Sequence, residues 1–462
     1  MNLLRLSGGL CALLLITALV QAAQEVPPNM RSIIEKSQSF GIGKYPISFW
    51  SYTSLNAHGK YMDEAEVAEW AECGFTVPQS PNFDPEKPEQ VAQMRQLLDW
   101  ADQYGMKLIL SDPRAYARPE VEAYKADLPS VVSLFKGHPA LFGYHVGDEP
   151  GADMKEAFFS CQSALKEAAP EQFPYANLLP FFPGIEARAG TDTWPNYLDE
   201  YCQKAKPDLI SYDCYTQMNP GTGGWQNYYE NLRLYREAAL RNGVPFWNTF
   251  LSVGHFNYRC PTLDDIRWQF NTTVASGAHG VLWFFYYMRS PHSNYRQSPI
   301  DEHWYRTPTW DALRLVHSNH HKFYGDLFTR LVCTKVMFSP EPFGGGQAFE
   351  PDGLIAEIGP SGSPDSPALL VSEFVDLEGR RYVMLVNNSQ TANARASIKF
   401  RGADVRVFSY NWAGKEYEGG AYSADDQRRE ADGLTLYHWL APGQEAFYRV
   451  ESASADTELL PL

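Results

Sequence analysis

Positive charge is scarce in this sequence: 39 Lys and Arg stand against 55 Asp and Glu, which gives a formal net charge of −16. Nucleic acids require a basic surface for their phosphates, so the composition excludes nucleic acid as a partner. It is also a poor match for a strongly anionic polysaccharide, unless the binding site is locally basic.

Long apolar runs are absent beyond the N-terminus. The run from Leu10 to Val20 is too short for an ordinary transmembrane helix. Arg5 precedes it and Val20-Gln21-Ala22 follows it, an arrangement that is typical of a secretory signal. We therefore expect residues 1–22 to be removed and the mature protein to be periplasmic or extracellular, with no membrane partner.

Several chemical motifs are also missing. The chain has no Cys-x-x-Cys pair, no Gly-x-Ser-x-Gly elbow and no glycine loop leading into a helix. His317, His320 and His321 cluster without a carboxylate at ligand spacing, so we expect no metal and no cofactor. The six cysteines beyond the signal allow many disulfide pairings, but we expect most of them to be buried free thiols.

Aromatic residues, by contrast, are abundant: 12 Trp, 27 Tyr and 26 Phe. This is more than a core of this size requires. Because aromatic faces stack on the C–H faces of sugars, the excess favours a carbohydrate as the substrate or ligand.

Short apolar strands alternate with amphipathic helical patterns through the first two thirds of the chain. Such alternation predicts a parallel sheet, and eight repeats predict closure into a (β/α)8 TIM barrel over residues 23–328, including a closing helix. The predicted strands are Tyr45–Trp50, Phe75–Gln79, Lys107–Ser111, Leu141–Val146, Tyr175–Leu179, Leu209–Tyr212, Pro245–Leu251 and Gly280–Tyr286.

The pattern changes in the last third, over residues 329–462. Alternating strands there are separated by turn residues with no helical period between them, which predicts a C-terminal antiparallel β-sandwich. The strands are Ala368–Phe374, Tyr382–Asn387, Ala396–Phe400, Val405–Ser409, Leu434–Leu440 and Ala446–Val450.

The fourth predicted strand ends in Gly147-Asp148-Glu149-Pro150. Barrel enzymes carry their chemistry at the C-terminal ends of the strands, and two carboxylates there suit glycosidic bond cleavage. Asp before Glu-Pro also commonly starts a helix, so a capping role for Asp148 is the structural alternative.

Other strand ends supply further candidates. Asp213 ends the sixth strand and is the best candidate for a second catalytic carboxylate, unless it pairs with Arg114 or Arg289. The expected substrate-binding residues, many of them aromatic, are Trp50, Asp112, Arg114, His145, Asn177, Tyr212, Tyr215, Trp247, His255, Trp283 and Tyr286.

The Gly-Asp-Glu-Pro stretch resembles the Asn-Glu-Pro signature of clan-A glycoside hydrolases, with Asp replacing Asn. That clan has TIM-barrel catalytic domains and includes the family 42 beta-galactosidases. The resemblance covers roughly Tyr45 to Tyr287 and implies a glycoside hydrolase acting on oligo- or polysaccharides, with Glu149 as general acid/base.

The sequence departs from the clan at the seventh strand, where the clan has its nucleophilic Glu. No Glu lies between Pro245 and Cys260. Either Asp213 replaces it or the substrate supplies the nucleophile, since Asp148-Glu149 is also similar to the Asp-Glu pair of substrate-assisted N-acetylhexosaminidases. A carbohydrate-binding barrel that has lost catalysis is a third interpretation.

Overall fold

The structure is a computed structural model that describes residues 26–56, 62–221, 223–289, 294–360, 368–411, 413–420 and 424–451. The expected signal, residues 1–22, lies outside these ranges. Within them, no helix is long and apolar enough to cross a membrane.

Seven parallel strands form a curved sheet in the order β1-β7-β6-β5-β4-β3-β2. Nearly every residue in them is buried, because helices cover the outer face and side chains fill the interior. The strands are β1 Ile47–Phe49, β2 Leu108–Leu110, β3 Leu141–Asp148, β4 Tyr175–Leu178, β5 Ile210–Asp213, β6 Phe246–Leu251 and β7 Gly280–Phe284.

Residues 75–80 close the sheet, although they form no regular strand. The amides of Thr76 and Val77 donate to Ile47 O at 2.9 and 3.1 Å, on the β1 side. On the β2 side, Ser80 N donates to Ile109 O at 2.8 Å. This segment therefore takes the place of the second barrel strand. The predicted barrel with eight strand positions is confirmed.

Ten helices are described in the barrel region. Helix Val121–Ser133 continues through Pro129, because Tyr124, Leu128 and Val131 keep a buried face at helical spacing. The helices are α1 Pro28–Ser39, α2 Glu64–Glu72, α3 Pro88–Gln103, α4 Val121–Ser133, α5 Lys155–Ala168, α6 Ile185–Ala189, α7 Trp194–Ala205, α8 Gly223–Asn242, α9 Leu263–Ala275 and α10 Pro308–Tyr324.

Two sheets follow the barrel and enclose an apolar core of their own. One has the order β10-β13-β17-β16, and the other has the order β15-β14-β18-β12-β11-β8-β9. The predicted sandwich is confirmed. Its strands are β8 Val332–Ser339, β9 Gln347–Ala348, β10 Ile355–Pro360, β11 Leu369–Val375, β12 Arg381–Asn387, β13 Ala394–Arg401, β14 Arg406–Tyr410, β15 Glu416–Glu418, β16 Gln427–Glu430, β17 Gly433–Leu440 and β18 Glu445–Glu451.

The barrel and the sandwich share a buried contact. The Phe328 ring, at the expected end of the barrel, lies 5.7 Å from Phe374 and 4.8 Å from Phe447 of the sandwich. Asn388 Oδ1 accepts hydrogen bonds from Tyr229 Oη at 2.6 Å and Trp268 Nε1 at 2.9 Å. The apolar core thus continues across the expected boundary.

The cysteines contribute thiols and no cross-links to this fold. All six in the described residues are free, and four of them are buried. The prediction of buried free thiols for most of them is confirmed.

Candidate active site

Three carboxylates meet at the C-terminal ends of neighbouring strands. Asp148 is the last residue of β3, Glu149 follows it, and Asp213 is the last residue of β5. Asn177 on β4 lies between them, and its Nδ2 donates to Asp148 Oδ1 and to Asp213 Oδ1, each at 2.9 Å. The barrel thus brings together all three carboxylates predicted as catalytic.

The end of β3 explains how two adjacent carboxylates can serve one site. Successive strand residues face opposite sides, but the register of β3 against β4 shifts between His145 and Gly147. Gly147 has φ 150° and Glu149 has φ 43°, so the chain turns away from strand geometry on both sides of Asp148. Glu149 N still donates to Asn177 O at 2.9 Å, which fixes this turn to β4.

The capping alternative for Asp148 is wrong. The following helix, α5, begins at Lys155, and its N-cap is Met154 with no side-chain hydrogen bond. The Asp148 carboxylate is open to the cleft and accepts from Asn177. It is therefore available for chemistry.

Burial and mutual repulsion favour protons in this cluster. Removal from water raises the pKa of Asp148 to about 6, the negative charge of Glu149 adds to the rise, and the Asn177 hydrogen bond opposes it. Burial raises the pKa of Asp213 well above its ordinary value, with contributions from Glu149 and then Asp148. Hydrogen bonds from Asn177 and Tyr215 oppose that rise. Such shifts are typical of catalytic carboxylates.

Glu149 is partly exposed, between the more exposed Asp148 and the buried Asp213. Its Oε2 accepts from Arg188 Nη2 of α6 at 3.1 Å, with 54% of the Arg188 side chain and 32% of the Glu149 side chain exposed. An ion pair this exposed is weak, so a ligand can separate it at little cost. Glu149 therefore has the access that a proton donor to a leaving group needs.

His145 is a fixed neutral group below the carboxylates. Its Nδ1 lies 3.0 Å from both Gln79 Nε2 and Tyr116 Oη, and its Nε2 lies 3.2 Å from Gly147 O. Burial lowers the pKa of His145 to about 4. The Trp50 ring packs edge-on against His145 at 4.8 Å. Both predicted residues thus line the base of the site, where they support the end of β3.

Aromatic rings from loops and from the end of β7 lie beside the carboxylates. The Tyr215 ring lies 5.2 Å from Phe284 and 5.6 Å from His255. Tyr52 packs against Phe284 at 5.9 Å and carries the Arg289 guanidinium 4.2 Å above its ring. Tyr215 thus lies beside Asp213, and His255 packs against Tyr215.

Four aromatic residues that were predicted to bind sugar lie outside the site, so the prediction is wrong for them. Trp247 fills the barrel interior over Gly280, while Trp283 turns outward and donates to His317 Nε2 at 2.8 Å. Tyr212 stacks on Tyr235 of α8 at 3.8 Å, and Tyr286 stacks on Phe49. All four are fully buried in packed cores: Tyr212, Trp247, Trp283 and Tyr286.

Asp112 and Arg114 are likewise engaged in structure and not in the cleft. Arg114 Nη2 lies 2.7 Å from Asp112 Oδ2, and the fully buried Asp112 also accepts from Arg114 N. The proposed Asp213–arginine pair is therefore wrong for Arg114. Arg289 stacks on Tyr52 instead, and the described hydrogen bonds of Asp213 come from Asn177 and Tyr215.

Five residues near the carboxylates were not predicted: three lie in loops, Gln79 lies in the segment 75–80 and Arg188 lies on α6. Loops have no periodicity, so their side chains gave no signal. Position was a hint for Gln79, which ends the predicted second strand. The missed residues are Gln79, Tyr116, Arg188, Tyr258 and Tyr295.

No protein-family model matches the chain, and no curated protein matches it by sequence. Solved structures do share its fold. A family 5 glycoside hydrolase from Bacteroides vulgatus ATCC 8482 is 12% identical with a TM-score of 0.53, over 90% of each chain. A protein named only as a glycoside hydrolase is 13% identical with a TM-score of 0.52, over 89% of this chain and 93% of that one.

A beta-galactosidase from the psychrophilic Marinomonas ef1 is 12% identical with a TM-score of 0.42. The matched part is 59% of this chain and 59% of that protein. At such identities the two stronger similarities show a common fold, a TIM barrel followed by a β domain.

Proposed function

We propose that this chain is an exported glycoside hydrolase that cleaves O-glycosidic bonds of oligo- or polysaccharides, with Glu149 as general acid/base. The observation that carries the proposal is the carboxylate cluster of Asp148, Glu149 and Asp213 at the catalytic end of a TIM barrel. Structures with the same fold are named as glycoside hydrolases, which supports it. Kinship with family 42 rests on the Gly-Asp-Glu-Pro stretch alone.

In the proposed reaction, the partly exposed Glu149 and the buried Asp213 have different roles. Glu149, at the lip of the cleft, would protonate the leaving oxygen. Asp213, on the floor beside Tyr215, would face the anomeric carbon. The raised pKa values of Asp148 and Asp213 mean that these two carboxyl groups bind protons at a higher pH than ordinary carboxyl groups do.

Glu149→Gln tests the acid role. The amide keeps the size of the side chain but cannot transfer a proton, so we expect kcat/KM on glycosides with poor leaving groups to fall about 10²–10⁴-fold. Nitrophenyl glycosides, whose leaving group needs less protonation, should lose less. Glu171→Gln is the control, because Glu171 is exposed in the loop before β4, at the opposite end of the barrel. Equal rates for parent and Glu149→Gln would remove Glu149 from this role.

A substrate-assisted N-acetylhexosaminidase is the second candidate. Two observations favour it: Asp148 is not a helix cap, and the loop after β6 offers no Glu before Cys260. Glu149 would again be the acid, while Asp148 would orient the substrate's acetamido group. The same substrate panel separates the two mechanisms, because activity confined to N-acetylated sugars would favour this one. Tight sugar binding without turnover would instead indicate a non-catalytic barrel.

A further inference from the structure

A second groove lies between the barrel and the sandwich. It has a volume of about 300 Å³, and none of its lining residues belongs to the carboxylate cluster. Three of the exposed large apolar side chains in the described residues line it: Trp439 of β17 (71% exposed), Leu315 of α10 (43%) and Tyr417 of β15 (42%). They come from the barrel and from both sheets, so the fold brings them together around one space.

Trp439 is held in a defined position at this groove. It pairs with Arg395 across β13 and β17, and the Arg395 guanidinium lies 5.8 Å from its ring. Exposed apolar side chains that cluster in one place, unlike single ones, mark binding sites. The ring can therefore offer a face to a ligand without a large loss of side-chain entropy.

The floor of the groove is polar and incompletely hydrogen-bonded. His320 is 4% exposed and its ring packs among Tyr45, Phe270 and Phe328, so its buried Nε2 is closed to a ligand. Asn319 lines the same space, and its amide makes no hydrogen bond within the described part of the chain. A ligand with hydroxyl groups would hydrogen-bond to the partly exposed Asn319 amide.

The charged groups of the groove are already neutralised. Arg267 donates to Pro442 O at 2.7 Å and pairs with Asp264. Glu445 accepts from Asn271 at 2.6 Å and from Tyr324 at 3.3 Å, and burial raises its pKa. Burial also lowers the pKa of His320 well below its ordinary value. The groove therefore offers no unpaired charge to an anionic or cationic ligand.

We propose that this groove is a second binding site, for a neutral carbohydrate chain. Trp439 and Tyr417 would stack on sugar rings, while the Asn319 amide would bond to hydroxyls. Exposed aromatic faces beside uncharged polar groups suit a sugar better than a charged peptide, and the volume is at the small end for small-molecule sites. Binding here is independent of the barrel's chemistry.

Affinity electrophoresis of the full-length protein tests the site. The gels would contain galactomannan, xyloglucan or mixed-linkage β-glucan, with the anionic polygalacturonate as the charge comparison. We expect at least one neutral polysaccharide to retard the parent, and Trp439→Ala to weaken that association about tenfold. Tyr417→Ala should weaken it less. Hydrolysis of small nitrophenyl glycosides should not change.

Tyr104→Ala is the matched control, because Tyr104 is 40% exposed at the end of α3, away from the groove. It should bind like the parent, and all variants should melt at similar temperatures. No retardation by any neutral gel, or equal retardation of Trp439→Ala and parent, would overturn the proposal. Retardation that is lost in Asp213→Asn but kept in Trp439→Ala would assign binding to the barrel and overturn it too.

Discussion

At the scale of single residues, Asp213 lowers the stability of the fold at a position where the proposed reaction needs a carboxylate. This side chain is only 8% exposed, and two other carboxylates lie close enough to repel its charge. Asn177 and Tyr215 offset part of that cost by hydrogen bonding. A buried carboxylate with this environment is expensive to ionise, which is reasonable for a reacting group and unfavourable for the fold.

Asp213→Asn should therefore raise the melting temperature while lowering activity. Because the folded-state pKa of Asp213 is raised, its contribution to stability is present at acid pH and lost as pH rises through that value. We expect a gain of about 1–3 °C at pH 8 and almost none at pH 4. Asp102→Asn, at an exposed position on α3, is the control. A melting temperature that falls at pH 8 would contradict this account.

At the scale of elements, the end of β3 determines the site. The register shift and the two positive φ angles at Gly147 and Glu149 place both carboxylates where β3 and β4 part. A Cβ at Gly147 would lie 2.9 Å from Phe158 Cε2 of α5, so the helix behind the strand leaves room only for glycine.

Gly147→Ala should disturb this turn. The added methyl group would clash with Phe158, and a residue with a Cβ atom disfavours φ 150°. We expect the backbone strain to cost about 1–3 kcal/mol. Displacing Glu149 and Asp148 should lower kcat/KM about tenfold or more. Gly359→Ala on β10 is the control, since the atom nearest to its Cβ would be 3.9 Å away. Both kcat/KM and the free energy of unfolding would be measured. Full activity in Gly147→Ala would show that the turn tolerates a side chain.

At the scale of the whole molecule, the barrel and the sandwich fit together closely. Asn388 accepts from two buried barrel donors, and a Cβ at Gly443 would lie 2.3 Å from Trp268 Cα. Glu149 has hydrogen bonds to Arg188 and Asn177 in the barrel, and none to the sandwich in the described residues. We propose that the sandwich supports the barrel without taking part in catalysis.

Asn388→Ala tests this coupling. It leaves the Tyr229 hydroxyl and the Trp268 indole N–H without their acceptor, at a cost of about 1–3 kcal/mol. Calorimetry should show one unfolding transition at a lower temperature, with activity retained at 25 °C. Asn196→Ala, at an exposed position on α7, should melt like the parent. Two separate transitions in the parent would mean that the domains unfold independently.

The sequence by itself determined the alternation of strands and helices in the barrel, the change from α/β to β architecture, and the strand ends that carry Asp148, Glu149 and Asp213. These features are local: apolar runs, turn residues and helical periods lie within a few residues of one another. The barrel then follows, because eight such repeats have few ways to bury their apolar faces.

Only the tertiary structure decided which side chains at the strand ends reach the cleft. Barrel strands are buried on both faces, so their residues show no polar alternation that would separate the interior Trp247 from the outward Trp283 and Tyr212. The pairing of Asp112 with Arg114 and the approach of Arg188 to Glu149 depend on how loops and helices pack. Such packing joins residues that are distant in the chain, and no local pattern encodes it.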